Sequence, residues 1–327
     1  MRWAVVGFGD IADRAVAPAI LRHFGSELSA ICRRSEAELD IFARRFDVPN
    51  TFAAYREMLE WGRFDAVYVA TPVHQHAPQT LEALNAGFHV LVEKPMALSA
   101  HEAEMMVDVA INKNLTLGIA YYHRFIPVNT RVGEIVKSGE LGELVALHGN
   151  ASTLFSVTPS HPKYWRMDSA RSGGGPLVDA ASHRLDIFHS LAGRAARVAG
   201  FSSQRFTDGD VEDTCSAIVE YRSGAQATLS SLWGASPGRS DYEVMCSKGR
   251  IHVPDARGDR IVIRTERGEK DILVPRDELH DLPLIERFVD AAEGRSELEL
   301  SGKAGLEVQR ITDAVYESAS NGTMIEL

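Results

Sequence analysis

Two segments of the sequence carry side chains that could exchange a proton with a bound molecule. In the first, VLVEKPMAL, Glu93 and Lys94 end an apolar run. If this run is a buried parallel strand, both side chains stand at the carboxyl edge of the sheet, where open α/β folds bind ligands. A lysine in that position either extends to solvent or has a function, because burying an ammonium group is costly.

The second segment, GGGPLVDAASHRLDIFHSLAG, has three glycines before a helical pattern. Asp179 and His183 are four residues apart, so a helix puts both on one face, and Asp186 continues the run. Histidine has an ordinary pKa of about 6.5, which suits a general acid or base. The spacing alone is equally compatible with an ordinary pair on a helix surface. Gly173 to Gly175 would allow another backbone or a ligand to approach closely.

A glycine pattern near the N-terminus predicts a binding site for a dinucleotide. GFGDIA follows the apolar run WAVV and begins a helical stretch, the context in which such a pattern is informative. Gly7 permits the tight turn, Gly9 lets the backbone approach a pyrophosphate, and the small Ala12 allows close packing of helix on strand. A purely structural glycine turn is the alternative. The predicted cofactor contacts of this turn are Gly7, Phe8, Gly9, Asp10 and Ile11.

The residues after the second apolar run indicate which dinucleotide is preferred. An NAD site usually has Asp or Glu about 20 residues beyond the glycines, bonded to the ribose. Here Cys32, Arg33, Arg34 and Ser35 occupy that region, and Arg33 comes 24 positions after Gly9. Guanidinium groups suit the 2′-phosphate of NADP, whereas a carboxylate would repel it. We therefore predict Arg33 and Arg34 as NADP contacts, with NAD as the alternative cofactor if both arginines are merely solvated.

Short apolar strands alternate with helical stretches over the first part of the chain. RWAVVGFG, ELSAICRR, DAVYVAT and FHVLVEK are typical of strands, and the stretches between them have helical spacing. Near-continuous runs of Val, Ile, Ala and Leu suit strands buried on both faces, and alternation with helices implies a parallel sheet. The sequence predicts a doubly wound α/β sheet of the Rossmann type in residues 1–122. Pro18 predicts a kink or an early end of the first helix.

A different pattern begins at about Phe125. One helical stretch, VNTRVGEIVKSG, precedes alternating strands joined by the turn signals RSG, SKG and ERG, which are typical of antiparallel hairpins. Two further helical stretches follow, LIERFVDAAEG and GKAGLEVQRITDAVYESASNG. We predict an α+β domain over residues 123–327 with a large, mostly antiparallel open sheet, whose C-terminal helix could pack back on the first domain.

Composition excludes several classes of protein. The 327 residues are 45% hydrophobic and 24% charged, which is typical of globular proteins rather than disordered or fibrous ones. A net charge of −10 disfavours nucleic acid as a partner, since Lys and Arg supply that affinity. Neither a secretion signal nor an apolar run of membrane length occurs, so we expect a cytoplasmic protein that does not bind a membrane. Cys32, Cys215 and Cys246 have neither the number nor the spacing of a disulfide framework or a zinc site.

Two further polar segments resemble metal sites, but neither has a complete set of ligands. His74 and His76 form an HxH pattern without a third ligand at metal spacing, so no metal is predicted. The acidic run DGDVED, from Asp208 to Asp213, lacks the glycine position and terminal glutamate of a calcium loop. We expect it to be a solvated loop that leads into a strand.

Three motifs, in this order, resemble the glucose-fructose oxidoreductase/inositol dehydrogenase (Gfo/Idh/MocA) family: GFGDIA, ATPVHQHAPQTLEALNAGFHVLVEKP and GGGPLVDAASHRLDIFHSLAG. The resemblance extends over essentially the whole chain, to AVYESASNGTMIEL. It implies an N-terminal Rossmann domain and a C-terminal domain for substrate binding and oligomerisation. It also implies NAD(P)-dependent chemistry on sugars, cyclitols and related compounds, in a homodimer or homotetramer assembled through the sheet.

The resemblance assigns roles to residues that match the family motifs. Lys94 matches the EKP lysine at the active site, and Glu93 the glutamate near the nicotinamide ribose. Asp179 matches the aspartate that helps to hold substrate, and His183 the general acid/base. Val73 departs from the asparagine that many relatives have after the Thr-Pro pair. The other matched positions are Thr71, Pro72 and His76 at the cofactor and, for the substrate pocket, Arg124, Trp165 and Arg166. Tyr122 ends a strand beside the expected cleft and either lines the substrate pocket or packs in the core.

Together these residues favour an NADP(H)-dependent oxidoreductase that transfers a hydride between the nicotinamide and a hydroxyl or carbonyl carbon of a sugar, cyclitol or related polyol. His183 would exchange the hydroxyl proton, Lys94 would polarise the oxygen, and Asp179 would either orient His183 or bind a neighbouring hydroxyl. Two alternatives use the same fold: a glycoside hydrolase that retains its nicotinamide, and a non-catalytic NADP-sensing protein. Lys94, Asp179 and His183 argue against the sensor, which does not need a proton-transfer set.

Overall fold

A computed structural model gives the positions of residues 1–276 and 278–327. These residues divide into two units: residues 1–122 with 279–306, and residues 123–278 with 307–327. Within the described part of the chain, no helix is both long and apolar enough to cross a membrane.

Six parallel strands form the sheet of the first unit. They are β1 (Arg2–Val6), β2 (Glu27–Cys32), β3 (Asn50–Phe52), β4 (Ala66–Val69), β5 (His89–Val92) and β6 (Leu117–Ile119). Their order is β3-β2-β1-β4-β5-β6, so the winding reverses between β1 and β4. The connecting helices are α1 (Ala17–Arg22), α2 (Glu36–Phe46), α3 (Tyr55–Trp61), α4 (His76–Asn85) and α5 (Ala100–Lys113). The predicted doubly wound parallel sheet is confirmed.

The first helix changes its winding before Pro18. A π-helical turn, Ala12–Val16, leads into α1, and Pro18 lies at the start of α1. Proline has no N–H to donate to the preceding turn, which suits it to the beginning of a helix. The expected disruption therefore takes the form of a widened turn upstream of Pro18, and the helix continues to Arg22.

A segment from near the C-terminus completes the first unit. It contains α9 (Leu282–Ala292) and the beginning of α10 (Gly302–Asn321). The ring of Phe288 in α9 lies 5.2 Å from that of Trp3 in β1. A backbone hydrogen bond also joins this segment to the sheet: the N–H of Ile119 in β6 donates to Leu300 O at 2.9 Å.

The second unit is built on a ten-stranded sheet. Its strands are β7 (Leu144–Leu154), β8 (Ala195–Ser203), β9 (Thr214–Tyr221), β10 (Gln226–Leu232), β11 (Gly234–Arg239), β12 (Tyr242–Cys246), β13 (Gly249–Val253), β14 (Arg260–Thr265), β15 (Gly268–Leu273) and β16 (Ile325–Glu326). Their order is β15-β14-β13-β12-β7-β10-β9-β8-β16, and β11 pairs with β7. Neighbours are antiparallel except β7 and β10, which are parallel. The large, mostly antiparallel sheet is confirmed, as are its hairpins at RSG, SKG and ERG.

Helices cover one face of this sheet. They include α6 (Pro127–Ser138), α8 (Ser182–Ala192) and the part of α10 from Glu307 onward, where Oγ of Ser318 accepts the N–H of Gly200 in β8 at 3.0 Å. The short helix α7 (Ser169–Ser172) directly precedes the glycine run. Gly149 in β7 allows α8 to approach, because a Cβ there would lie 2.9 Å from Cγ of Arg184. The opposite face exposes Phe201 and Ile218, whose side chains are 81% and 54% exposed. One face is thus a core, and the other carries large apolar side chains in solvent.

Candidate functional site

The glycine turn of the first unit lies at the reversal between β1 and β4. Gly7 has φ +76°, and a Cβ on it would lie 2.6 Å from Cγ2 of Thr71, in the loop after β4. Only glycine fits both the backbone angle and this approach. The turn is held from the other side, because the N–H of Gly7 donates to Cys32 O at 3.0 Å. These contacts bring the ends of β1, β2 and β4 together at the point where such sheets bind dinucleotides.

Arg33 lies directly beside this turn. Its Nη1 donates to Phe8 O at 2.7 Å and would be 3.5 Å from a Cβ built on Gly9. Its Nε and Nη2 donate to Oε2 of Glu38 at 2.9 and 2.5 Å, and this bond lowers the pKa of Glu38. Arg34 is exposed. The open backbone at Gly9 and the adjacent guanidinium fit the phosphate and ribose portions of a dinucleotide.

His76 joins the two loops that the sequence assigned to the cofactor. Its Nδ1 lies 2.8 Å from Pro95 O and its Nε2 lies 2.8 Å from Thr71 O. Burial lowers the pKa of His76 to about 4, although both carbonyls favour the protonated ring. Because both nitrogens face carbonyls, we expect His76 to serve the cofactor by holding these loops rather than by a direct hydrogen bond. Pro95 directly follows Lys94, so the same contact fixes the lysine's loop.

Glu93 belongs to a buried cluster of acidic and phenolic groups in the first unit. The hydroxyl of Tyr68 donates to Oε1 of Glu93 at 2.8 Å, and the backbone N–H of Lys94 donates to Oε2 at 3.2 Å. Asp281, just before α9, is 4% exposed. Burial and the charge of Glu93 raise the pKa of Asp281 to about 7. Burial, then Glu93, Asp281 and Tyr122, raise the pKa of Tyr68.

Asp281→Asn is expected to make the stability of the protein less dependent on pH. The pKa of Asp281 is about 7 in the folded chain against an ordinary 3.8, so folding takes up a proton between these values. Stability from this group is present at low pH and is lost as the pH rises through 7. The stability of the variant relative to the natural protein should therefore rise by roughly 2–3 kcal/mol between pH 5 and pH 8.5.

Urea unfolding at both pH values measures this difference. Glu286→Gln, at an exposed position of α9, is the matched control and should leave the pH dependence unchanged. A stability difference between Asp281→Asn and the natural protein that is the same at both pH values would contradict the argument.

In the second unit, three of the residues predicted for substrate lie together. Nε of Arg166 donates to Oδ1 of Asp179 at 3.3 Å. The guanidinium of Arg166 also lies over the ring of Trp165, 4.7 Å from its centre. Asp179 is in a π-helical turn, Leu177–Ala181, that runs directly into α8, where His183 follows. Such turns are frequent at functional sites.

The glycine run before this helix is enclosed by protein. A Cβ on Gly174 would lie 2.1 Å from the hydroxyl oxygen of Tyr316, and one on Gly175 would lie 1.9 Å from Glu212 O. The run thus allows another backbone to approach, as the sequence suggested. Gly175 O in turn accepts the N–H of Asp179 at 3.0 Å, so this packing positions the predicted substrate residue.

Glu212 holds the glycine run in place. Its carboxylate accepts the N–H groups of Gly175 at 2.8 Å and Leu177 at 3.1 Å, and the hydroxyl of Tyr316 at 2.9 Å. Burial raises its pKa, and these hydrogen bonds partly oppose the rise. The prediction of a solvated loop was therefore wrong for this part of the acidic run. It was also wrong for Asp213, which is fully buried and accepts three backbone N–H groups, those of Arg205, Phe206 and Thr207.

Arg124 contacts a carboxylate of the same unit. It forms an ion pair through Nη2 with Oδ1 of Asp186 and a bond from Nε to Oδ2 at 3.0 Å. Asp186 is fully buried and lies three residues after His183 in α8. The predicted contact of Arg124 with substrate stays a prediction, but its guanidinium already has a structural partner. Tyr122 is half-buried at the start of the same turn, Tyr122–Phe125.

Sequence reasoning missed three residues of these clusters: Asp281, Glu212 and His123. The ring of His123 lies parallel to that of His183, with 3.9 Å between ring centres and 9° between planes. Asp281 and Glu212 come from segments far from the motifs that they contact, and no local spacing signals such a contact. His123 was open to detection, because it directly precedes Arg124, which the resemblance had already placed near the substrate.

Two family models match this chain. Residues 1–121 match GFO_IDH_MocA, described as an oxidoreductase family with an NAD-binding Rossmann fold. Residues 130–252 match the GFO/IDH/MocA C-terminal domain.

Similar proteins span nearly the whole chain. D-xylose 1-dehydrogenase (NADP(+)) 2 of Haloferax volcanii is 29% identical, with 100% of both chains covered. The dTDP-3,4-didehydro-2,6-dideoxy-alpha-D-glucose 3-reductase of Streptomyces violaceoruber is 30% identical, covering 98% of this chain and 95% of its own. The crystal structure of aldose-aldose oxidoreductase from Caulobacter crescentus, complexed with glycerol, has a TM-score of 0.91 at 24% identity and covers 100% of this chain and 99% of that one. This last likeness shows a shared fold.

Proposed function

The chain belongs to the GFO/IDH/MocA family of oxidoreductases, and on that premise we propose that it transfers a hydride between NADP(H) and a hydroxyl or carbonyl carbon of a sugar, cyclitol or related polyol. The observation that carries the proposal is the turn at Gly7 and Gly9, with Arg33 beside it, where the winding of the sheet reverses. The activities named for the relatives in Haloferax volcanii and Streptomyces violaceoruber support a carbohydrate substrate.

We assign the chemical roles as follows. A bound nicotinamide supplies or accepts the hydride. His183 exchanges the proton of the reacting hydroxyl, because an imidazole titrates close to working pH. Lys94 stabilises negative charge that develops on the oxygen. Asp179, which is paired with Arg166, binds a neighbouring hydroxyl of the substrate or orients His183.

The first test is a titration of the purified protein with NADPH and with NADH, followed by absorbance assays on aldoses such as D-xylose, cyclitols and keto sugars. Binding together with a net change in nicotinamide absorbance supports the proposal. Failure to bind either nucleotide would overturn it. Hydrolysis of a glycoside without any net absorbance change would favour a glycoside hydrolase that retains its cofactor.

Arg33→Asp is expected to lower the ratio of catalytic efficiency with NADPH to that with NADH by about 100-fold, since hydrogen bonds to charged groups contribute ~1.5–3 kcal/mol and the new carboxylate repels phosphate. Glu38→Gln is a second variant with the opposite expected effect. It removes a carboxylate that occupies Arg33 and would repel a 2′-phosphate, so the same ratio should rise several-fold. An unchanged ratio in Arg33→Asp would refute the NADP preference and leave the reaction class standing.

We also propose a homo-oligomer assembled through the open face of the second sheet. Phe201 and Ile218 are large apolar side chains exposed on neighbouring strands of this face, and association of two such faces would remove them from solvent. Sedimentation of the purified protein measures the number of subunits.

A further inference from the structure

The ring of His183 forms a flat stack on the ring of His123. The ring centres are 3.9 Å apart and the planes differ by 9°. Both side chains are buried, with 9% of His123 and 5% of His183 exposed. A parallel stack uses the face of an imidazole and not its edge. Both nitrogens of a ring lie on the edge, so the stack occupies neither of them.

His123 is itself held in place by its neighbours. The side-chain nitrogen of Asn129 donates to His123 O at 2.7 Å and to Ala256 O at 2.9 Å. The hydroxyl of Tyr242 donates to Oδ1 of Asn129 at 2.8 Å, and Asn129 and Tyr242 are both buried. The backbone of His123 is thereby anchored to α6 and to strand β12.

The ion pair of Arg124 and Asp186 makes a second connection. Arg124 follows His123 in the chain, and Asp186 lies about one turn beyond His183 in α8. Each stacked histidine is therefore close in the chain to one member of this buried ion pair. These contacts hold His123 and Arg124 against α8, where the two imidazoles lie face to face.

We propose that His123 is a positioning residue for the reaction: its ring stacks flat on the His183 imidazole and fixes the plane of that ring. The inference rests on the proposed function, in which His183 is the acid/base. The torsion that turns an imidazole about its Cβ–Cγ bond has broad minima, so a face-to-face stack narrows the range of orientations of the ring. Proton transfer needs a defined direction between donor and acceptor, and a fixed ring plane sets the directions in which the ring nitrogens point.

The test compares three variants of the full chain: His123→Phe, His123→Leu and His123→Ala. Phe keeps a flat ring but has no nitrogen, whereas Leu fills space without a flat face. We expect Leu and Ala to lower kcat about 10-fold, part of the ~100-fold that a 1 Å misplacement of a reacting group can cost. Phe should stay within about 3-fold of the natural protein. KM for the sugar and Kd for NADPH should change little in all three.

A loss in His123→Phe as large as that in His123→Ala would overturn the proposal, because the nitrogens of His123 would then be needed. Full activity in both Leu and Ala would overturn it as well. NMR of labelled histidine provides a readout that does not depend on activity: the ring-current shift on His183 should persist in His123→Phe and disappear in His123→Leu. Its persistence in the Leu variant would also contradict the stack.

His183→Ala separates this inference from the proposed function. If that variant keeps full activity, the assignment of His183 as acid/base is wrong. If it is inactive while the His123 variants are all fully active, only the positioning role of His123 is wrong.

Discussion

Replacing His183 with alanine is expected to lower kcat by about 10²- to 10⁴-fold, the range that a positioned general acid or base contributes. Loss of the imidazole leaves the reacting hydroxyl proton without its acceptor, while the glycine turn at Gly7 and the guanidinium of Arg33 are untouched. Kd for NADPH should therefore stay within about 2-fold, since the nucleotide contacts assigned to the first unit do not include His183.

Steady-state kinetics and a fluorescence titration with NADPH measure the two quantities separately. His101→Ala is a suitable control, because His101 is exposed on α5 and has no role in the proposed site. A fall in kcat of less than about 3-fold would refute the acid/base assignment, whereas the oxidoreductase class would remain. Partial recovery of His183→Ala by added imidazole would show that the lost group acts through its nitrogens.

The fold was predictable where neighbours in sequence are also neighbours in space. Apolar runs alternating with helices predicted the parallel sheet, and short glycine-containing turns predicted three hairpins. The parallel pair of β7 and β10 gave no such signal. The two paired segments are about 80 residues apart in the chain, at Ala146 to Ser152 and Gln226 to Leu232. A pairing over that distance leaves no local pattern in the sequence.

The same distinction applies to the site. Gly7, Gly9 and Arg33 could be recognised because their geometry follows from one strand–turn–helix unit. Glu212 could not, since an acidic loop residue has the composition of a solvated surface. Its carboxylate is instead the acceptor for the backbone of the glycine run. The interpretation of an acidic loop therefore depends on whether backbone N–H groups face it.

The ion pair of Arg124 and Asp186 carries the largest expected effect on stability. Asp186 is fully buried, and burial raises its pKa although Arg124 opposes the rise. Arg124→Met should reduce the free energy of unfolding by about 3–5 kcal/mol near pH 8, because it leaves a buried carboxylate without its partner. Near pH 5 the loss should be smaller, since without Arg124 the carboxyl accepts a proton more readily and ceases to be a charge.

The double variant Arg124→Met with Asp186→Leu tests whether the pair stabilises the unit or mainly fixes its geometry. Burying apolar side chains in place of a buried ion pair is often neutral or stabilising by ~1–4 kcal/mol, so urea unfolding should show much of the lost stability restored. If the stack of His123 on His183 depends on the pair, the restored protein will still have a reduced kcat, similar to that of His123→Ala. Restored stability together with full activity would show instead that Asn129 and Tyr242 suffice to hold His123. A double variant as unstable as Arg124→Met would contradict the electrostatic argument, because the buried charge would then not be the source of the loss.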